Sequence, residues 1–251
     1  MNEGICIRGL HKRFDEQIVL DGIDLDIPRG QQLVILGRSG QGKSVLLKLI
    51  VGLMDPESGS VTVDGEEVPR GRLKKLYKMR RKFSMVFQGA ALFDSMTIGE
   101  NVCLGLVEHT GHTSAEIQRR TTRALEMVGL PGIEDKYPAE LSGGMKKRAS
   151  VARAIVTEPQ YLLYDEPTTG LDPITADAIN RLIQHLADEL GVTSLVVTHD
   201  MRSAFTVGTR FALLNNGKII FEGSGEEARA DRAGPMAQFI AGSAEGPLDS
   251  F

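Results

Sequence analysis

The 251-residue sequence predicts an α/β fold in which a mostly parallel sheet carries helices and a largely helical segment is inserted. Three observations support this prediction. Short apolar runs at 32–36, 161–164 and 194–198 have the composition of strands buried on both faces, as in parallel sheets. Apolar residues recur with helical periodicity in 113–128. The first third of the chain instead shows the alternation of polar and apolar residues that is typical of half-buried strands.

The first third is therefore predicted to form β structure. Apolar and polar residues alternate in 4–8 and again in 23–27. Residues 60–68 are a hairpin candidate, because Asp64-Gly65 supplies residue types that accept the positive φ angles of a tight turn.

The middle of the chain is predicted to be helical. In the segment 113–128, Thr113 and Glu116 form a possible capping box, and Gly129 can end the helix. A second helix should begin near Ser142.

Alternation of strands and helices returns after residue 160. A helix is predicted to begin at Asp172-Pro173, which supply a cap and a favoured first residue, and to end at Gly191. Asn216-Gly217 predicts a second hairpin turn.

These signals divide the chain into three parts. Residues 1–88 and 156–223 should form the catalytic core together with an antiparallel β subdomain. Residues 89–155 should form a helical subdomain, and 224–251 a tail of short helices with a loose end.

Composition narrows the functional class. The net charge of −4 gives no general indication of nucleic-acid binding. The first residues lack the basic and apolar regions of a secretory signal. The most apolar stretch, 45–54, contains Lys48 and is far shorter than the roughly 20 residues that span a bilayer. If the protein serves a membrane process, we expect another chain to supply the membrane part.

The segment 37–44 fits the phosphate-loop pattern G-x-x-x-x-G-K-[ST] in full, between an apolar strand and a helical pattern. Glycines let successive backbone N–H groups point at an anion. Lys43 can bridge the β- and γ-phosphates of ATP, and the Ser44 hydroxyl can ligate Mg²⁺. The predicted nucleotide-binding residues of this loop are Gly37, Arg38, Ser39, Gly40, Gln41, Gly42, Lys43 and Ser44.

An acidic pair follows the apolar run 161–164. Asp165 would lie at the carboxyl end of a buried strand, where ligands bind in open α/β sheets. Asp165 is predicted to hold Mg²⁺ through water, and Glu166 to orient or deprotonate the attacking water. The sequence thus predicts the core of a P-loop NTPase that uses ATP and Mg²⁺.

The segment Leu141-Ser-Gly-Gly resembles the signature motif of ABC ATPases. Other family motifs stand around it in the family's order, and the resemblance covers about residues 4–223. It implies an ABC ATPase fold, namely a P-loop core with an antiparallel β subdomain and a helical subdomain. It also implies a homodimer in which the signature motif of one subunit closes over ATP bound by the other.

The resemblance assigns further site residues. Gln88 resembles the Q-loop glutamine that senses Mg²⁺, and His199 the switch histidine that contacts the γ-phosphate. Phe14 stands where relatives place an aromatic that stacks on adenine, although tyrosine is common there. The implied catalytic residues are Glu166, His199, Gln88 and Lys43, the metal ligands Ser44, Gln88 and Asp165, and the additional nucleotide contacts Phe14, Ser142, Gly143, Gly144 and Asp172.

A closer similarity is to the MlaF-like ATPases of the Mla/Mce group, which power phospholipid movement between Gram-negative inner and outer membranes. It rests on Met145 in the signature and on the segments 87–97, 108–110 and 238–247. The resemblance implies an MlaE-like permease and an MCE-domain MlaD-like protein as partners, with a STAS-domain MlaB-like protein as a further candidate. It also implies a peripheral position on the cytoplasmic face of the inner membrane.

Two alternatives stay open at this point. The chain could serve a transporter of another hydrophobic substrate, or a regulatory ATPase that signals through a membrane partner. A soluble ABC ATPase acting on nucleic acid usually fuses two nucleotide domains or inserts a coiled coil. This chain has one phosphate loop and no long heptads, so we predict no nucleic-acid partner.

Two groups of basic residues are interpreted as surface features. The run 70–82 carries eight basic residues and is expected to be a helix with a solvated basic face, with contact to anionic headgroups or a permease as the alternative. Lys146 and Lys147 are also expected to be solvated, whereas Arg148 matches a family position.

Overall fold

The computed structural model describes residues 4–109 and 111–248, and the described strands form two sheets. The smaller sheet is antiparallel, with strand order β2-β1-β4-β5. Its strands are β1 (Gly4–Phe14), β2 (Gln17–Pro28), β4 (Ser58–Val63) and β5 (Glu66–Glu67).

The larger sheet has the strand order β10-β9-β3-β8-β7-β6 and is parallel except for β10, which pairs antiparallel with β9. Its strands are β3 (Gln32–Leu36), β6 (Phe83–Val86), β7 (Tyr161–Asp165), β8 (Thr193–Thr198), β9 (Arg210–Asn215) and β10 (Lys218–Ser224). The predicted α/β fold with its antiparallel β part is confirmed.

Helices connect and flank these strands. They are α1 (Lys43–Ile50), α2 (Leu73–Arg80), α3 (Ile98–His109), α4 (Ser114–Met127), α5 (Gly143–Ile155), α6 (Pro173–Leu190), α7 (Met201–Val207), α8 (Gly225–Ala230) and α9 (Pro235–Ala241), with a 3-10 turn at Pro138–Glu140. Within the described residues, no helix is long and apolar enough to cross a bilayer.

The predicted helix ends are confirmed by side-chain caps. The Thr113 hydroxyl accepts from the Glu116 amide at the start of α4, and the Asp172 carboxylate accepts from two amides at the start of α6. Gly191 ends α6 with φ 60°, a left-handed angle that glycine adopts without strain.

Both predicted hairpin turns are also confirmed. Asp64 and Gly65 have φ angles of 53° and 80°, and Asn216 and Gly217 have φ angles of 46° and 75°. Two positive φ angles in succession are what a tight turn between right-twisted strands requires.

The larger sheet separates two hydrophobic layers. Leu33 and Ile35 of β3 face the smaller sheet, whereas Val34 and Leu36 face the layer beneath α3–α7. All four side chains are fully buried, because β3 is covered on both faces. The strand that precedes the phosphate loop is therefore held rigidly.

Asp64 joins the two sheets at the edge away from the phosphate loop. Its carboxylate accepts from the Arg29 guanidinium at 2.8 Å, the Lys82 ammonium at 2.8 Å and the Tyr161 hydroxyl at 2.6 Å. Burial raises the pKa of Asp64, but these donors and the Gly4 amide outweigh burial and hold the pKa well below its usual range.

The tail contains the expected short helices, α8 and α9, and it packs against the second layer up to its last described residue. Met236 is fully buried and Leu248 is 5% exposed. Gln238 fastens the turn between them, because its amide donates to Ser243 O and accepts from the Leu248 amide. The expected loose end thus falls on residues 249–251, outside the described part.

Part of the basic run 70–82 is engaged with the protein. Helix α2 buries Leu76 and Met79, and Arg80 donates to two main-chain carbonyls at the end of α1, those of Val51 and Gly52. The helix is as expected, but Arg80 and Lys82 are not part of a solvated face.

Candidate nucleotide site

The phosphate loop connects β3 to α1, and the backbone geometry of the loop requires glycine at three positions. Gly40 and Gly42 have φ angles of 82° and 93°, which favour glycine. A Cβ on Gly37 would lie 2.6 Å from the main-chain oxygen of Leu214 in β9. The loop therefore packs closely against β9. Its amides lead into the N-terminus of α1, and a helix N-terminus favours bound anions.

Lys43 is the first residue of α1 and is 6% exposed. Its ammonium donates to Gly37 O at 2.7 Å and to Arg38 O at 3.1 Å, and it lies 3.2 Å from Glu166 Oε1. The three contacts hold the cation within the curl of the loop, where it can meet phosphate oxygens.

Glu166 is the most constrained side chain of the site. It follows β7 with a left-handed φ of 48°, which is rare for a non-glycine residue and marks a strained position. Its Oε2 lies 2.9 Å from His199 Nδ1 and accepts from the Thr169 hydroxyl at 3.0 Å. With Lys43 on Oε1, the carboxylate is bound on both oxygens.

These contacts keep Glu166 ionised. Burial raises the pKa of Glu166, but the hydrogen bond from His199 and the charge of Lys43 outweigh burial and hold the pKa below its ordinary value. A carboxylate that stays charged at neutral pH can accept a hydrogen bond or a proton from water.

Ser44 and Asp165 meet beside this carboxylate, because the Ser44 hydroxyl donates to Asp165 Oδ1 at 2.7 Å. Two hard oxygen ligands side by side next to a phosphate loop fit Mg²⁺, which takes few protein ligands and shares the rest with phosphate and water. The described residues contain no cluster of three or more His, Cys, Asp or Glu side chains that could hold a metal ion.

Gln88 follows β6, which lies next to β7 in the sheet, with Val86 paired to Tyr164. Gln88 and Asp165 therefore leave the same carboxyl edge from neighbouring strands, and Gln88 is exposed. The loop beyond it is unusual, because Ala90 and Ala91 both have left-handed φ angles, 61° and 51°.

Phe14 ends β1 and is 42% exposed, so its ring is accessible for stacking. The Lys12 ammonium lies 5.2 Å from the ring centre in a cation–π contact and is anchored by Asp55 O and Glu57. Gln41, in the phosphate loop, accepts from the Asn216 amide of the β9–β10 turn and so ties the loop to that hairpin.

The signature segment lies in a different part of the chain's surface. Ser142 caps α5 by accepting from the Met145 amide, and it lines an open cleft of about 510 Å³ together with Gly143, Gly144 and the segment 170–175. Of the described residues that line this cleft, none belongs to the phosphate loop.

Asp172, at the rim of this cleft, has a visible structural role. Its Oδ1 accepts from the amides of Ile174 and Thr175, and its Oδ2 from the Thr175 hydroxyl. Both carboxylate oxygens thus serve the cap of α6, and the predicted nucleotide contact has to coexist with that role.

Lys147 was expected to be solvated, and this is wrong. Its side chain is 5% exposed and its ammonium donates to the main-chain oxygen of Gln88. Helical spacing could have indicated this, because Lys147, Val151 and Ala154 share the buried face of α5. Arg153 on the same helix, which motif matching also missed, donates to the loop after Gln88.

A phosphate loop at the carboxyl edge of a parallel sheet, with an acidic pair at the end of β7, which is separated from β3 by β8, defines a P-loop ATPase. A family model described as "ABC transporter" matches residues 20–169 of the chain. The chain therefore belongs to the ABC transporter family, as an ATP-binding subunit, and the resemblance stated from the sequence is confirmed.

Similar proteins cover most of the chain. The probable ribonucleotide transport ATP-binding protein mkl of Mycobacterium leprae is 39% identical over 99% of this chain and 72% of its own length. The intermembrane phospholipid transport system ATP-binding protein MlaF of Escherichia coli K12 is 40% identical over 92% of this chain and 86% of its own length. MlaF of Haemophilus influenzae is 35% identical over 99% of this chain and 94% of its own length.

Two solved structures show the same fold. One is the dimeric post-hydrolysis state of the ATP-binding cassette MJ0796 bound to ADP and Pi, with a TM-score of 0.80, 32% identity, and coverage of 88% of this chain and 98% of that one. The other is cbiO1 from Clostridium perfringens, part of the transporter complex cbiONQ, with a TM-score of 0.85, 31% identity and 92% coverage of both chains.

Proposed function

We propose that this chain hydrolyses ATP to power phospholipid transport between the inner and outer membranes, as the ATPase subunit of an Mla-type transporter. The observation that most supports phospholipid as the transported substrate is the similarity to MlaF proteins from two organisms, which extends over 92% and 99% of the chain.

The site geometry supports a specific division of labour. Lys43 and the amides of the phosphate loop bind the β- and γ-phosphates, and Phe14 stacks on adenine. On binding ATP, Lys43 exchanges its ion pair with Glu166 for one with the γ-phosphate. Glu166, released on one oxygen, orients the attacking water and accepts its proton.

Water then attacks the γ-phosphorus, the bond to the β–γ bridging oxygen breaks, and ADP and phosphate leave. His199 holds Glu166 at 2.9 Å and is placed to hydrogen-bond the γ-phosphate. Mg²⁺, held by Ser44, by Asp165 through water and by Gln88, would neutralise charge on the β- and γ-oxygens.

Ser142, Gly143 and Gly144 form a second anion-binding helix N-terminus in a cleft apart from the phosphate loop. We propose that they close over ATP held by a second copy of the chain, with Asp172 at the same interface. The similar cassette MJ0796 is described as dimeric with ADP and Pi, which supports this arrangement.

The proposed partners follow from the same similarity. They are an MlaE-like permease, an MCE-domain MlaD-like protein and a STAS-domain MlaB-like protein, and the chain would lie peripherally on the cytoplasmic face of the inner membrane. No nucleic-acid partner is proposed.

A second cargo is supported by the similarity to mkl, whose name specifies ribonucleotide transport. The two candidates are separated by purifying the complete complex through a tag on this chain and reconstituting it in liposomes. ATP-dependent movement of a fluorescent phospholipid, abolished by Glu166→Gln, is the expected result. Movement of a labelled ribonucleotide without lipid movement would contradict the phospholipid assignment, and ATP turnover without either would favour a regulatory role.

A further inference from the structure

Helix α5, whose N-terminus carries the signature motif, also holds the main chain around Gln88. The Lys147 ammonium donates to the carbonyl oxygen of Gln88 and, at 3.5 Å, to that of Phe87. With its side chain only 5% exposed, Lys147 fills the space between α5 and the loop.

Arg153, on the same helix, holds the next part of the loop. Its guanidinium donates to Ala91 O at 2.6 Å and to Ala90 O at 2.9 Å. Ala90 and Ala91 both adopt left-handed φ angles, which are strained for a non-glycine residue. Such a conformation persists only when its surroundings enforce it, and two side chains from α5 bind four carbonyl oxygens here.

Lys147 lies in the field of the catalytic carboxylates. Burial lowers the pKa of Lys147, while the negative charges of Asp165 and Glu166 act in the opposite direction and favour the ammonium form.

We propose that Lys147 is a positioning residue for Gln88: from the signature helix it fixes the Gln88 main chain, and hence the reach of the Gln88 side chain to Mg²⁺. This rests on the proposed role of Gln88. Because Lys147 belongs to α5, any displacement of the signature motif on closure over the partner's ATP moves the Gln88 carbonyl with it. ATP bound by the partner thereby changes the position of Gln88, the metal ligand of this chain's own nucleotide site.

The test is a double-mutant cycle on the full-length chain, with Lys147→Met, which keeps side-chain length but has no donor, combined with Gln88→Ala. ATPase rate is measured against Mg²⁺ concentration at saturating ATP. Lys147→Met should raise the half-saturating Mg²⁺ concentration about 10-fold, the order of effect found for groups that orient a metal ligand. Nucleotide binding in EDTA should stay within about twofold, because the phosphate loop is untouched.

In the Gln88→Ala background, Lys147→Met should add almost nothing, because both changes remove the same contribution. Lys147→Arg, which keeps a charged donor, should stay near wild type. The matched control is Lys146→Met, one position away on the half-exposed side of α5, which should leave the Mg²⁺ dependence unchanged.

Three outcomes would overturn the inference. They are additive effects of the two changes, a Lys147→Met variant that behaves like Lys146→Met, and a Lys147→Arg variant as impaired as Lys147→Met. If Lys147→Met does not fold, the same cycle is run with Lys147→Gln, whose side chain is uncharged and one bond too short to replace the ammonium, and the same outcomes decide. Should Gln88→Ala itself leave the Mg²⁺ dependence unaltered, the proposed role of Gln88 fails instead.

Discussion

At the scale of single residues, the site is built around one carboxylate that three side chains share. Lys43 binds one oxygen of Glu166, and His199 and Thr169 bind the other. The fixed orientation and the lowered pKa suit a group that must stay ionised while it handles water. Glu166 is not free to rotate, so its strained backbone and its partners together set the geometry of attack.

Glu166→Gln should retain ATP binding and lose about 10²–10⁴-fold in hydrolysis rate, because the amide still fills the site but cannot accept the proton. The variant should accumulate as an ATP-bound dimer, which sizing chromatography with ATP and Mg²⁺ detects. A control is Glu158→Gln, which changes an exposed carboxylate that pairs with Arg120 of α4. Hydrolysis within a few-fold of wild type would remove Glu166 from its proposed role.

Motif and strand context indicated Lys43, Ser44, Asp165 and Glu166 from the sequence, because their neighbours in the chain define the chemistry. The contacts of Glu166 with His199 and Thr169 could not be predicted in detail, since they join segments that meet only in the folded sheet. Lys147 was misjudged for a different reason: a lysine is usually solvated, and only the carbonyl oxygens of the loop after β6 make its burial favourable.

At the scale of elements, the two sheets are joined by a polar contact as well as by the apolar layer between them. Asp64, in the β4–β5 turn, binds Arg29 before β3, Lys82 before β6 and Tyr161 at the start of β7. The turn at Asp64-Gly65 was predicted because both residue types accept positive φ angles. The sequence gave no sign of the contacts of Asp64, whose partners lie up to 97 positions away.

Asp64→Asn should lower the free energy of unfolding by about 1–3 kcal/mol at neutral pH, because charged donors lose their acceptor. The folded-state pKa of Asp64 lies below its unfolded value, so its contribution is present above the unfolded pKa and is lost as the pH falls. The stability gap between wild type and variant, measured by urea unfolding, should therefore narrow below about pH 4. A gap independent of pH would contradict the account.

We propose that the loop after Gln88 contacts a membrane partner through Phe93. Phe93 is 50% exposed, whereas its neighbour Leu92 packs against the core. The main chain of Phe93 is held by the fully buried Asn101, whose amide accepts from Phe93 N and donates to Phe93 O. Aromatic residues are enriched at protein–protein interfaces, so an exposed phenylalanine on a firmly held loop is a suitable docking residue.

Phe93→Ser should impair assembly with the permease, or permease-dependent ATPase activity, while thermal unfolding of the isolated chain stays close to wild type. Leu92→Ser is the matched comparison and should lower the unfolding temperature, because it removes a partly buried apolar group. Normal assembly and transport by Phe93→Ser would show that this contact is wrong.

At the scale of the whole molecule, we propose that the chain carries two half-sites, the phosphate loop and the signature segment, and that each meets the complementary half-site of a second copy. The phosphate loop lies at the carboxyl edge of the large sheet, and the signature segment lines a separate cleft with Asp172. One chain alone therefore does not bring its signature motif onto its own phosphate loop, and the proposed sandwich of two copies supplies the missing half of each site. Sequence periodicity predicted the strands and helices well, but the pairing of β1 with β4 and of β3 with β9 spans long sequence separations that periodicity does not specify.

The most direct test of this composite site mixes two inactive variants. Lys43→Ala removes the phosphate contact, and Ser142→Arg places a bulky cation at a helix N-terminus that is built to accept an anion. Ser142→Arg also removes the cap of α5, so its fold and its ATP binding as a single chain are measured first and should be retained.

Each variant alone should neither dimerise with ATP nor hydrolyse it. Mixed in equal amounts, the two variants form mixed dimers that each carry one intact composite site, so activity should return to at most about half of the wild-type rate per dimer, and to less if the two sites are coupled. The account predicts this recovery together with ATP-driven dimerisation of the mixture. Wild-type closure and hydrolysis by Ser142→Arg alone, or no recovery in a mixture of folded, ATP-binding chains, would contradict it.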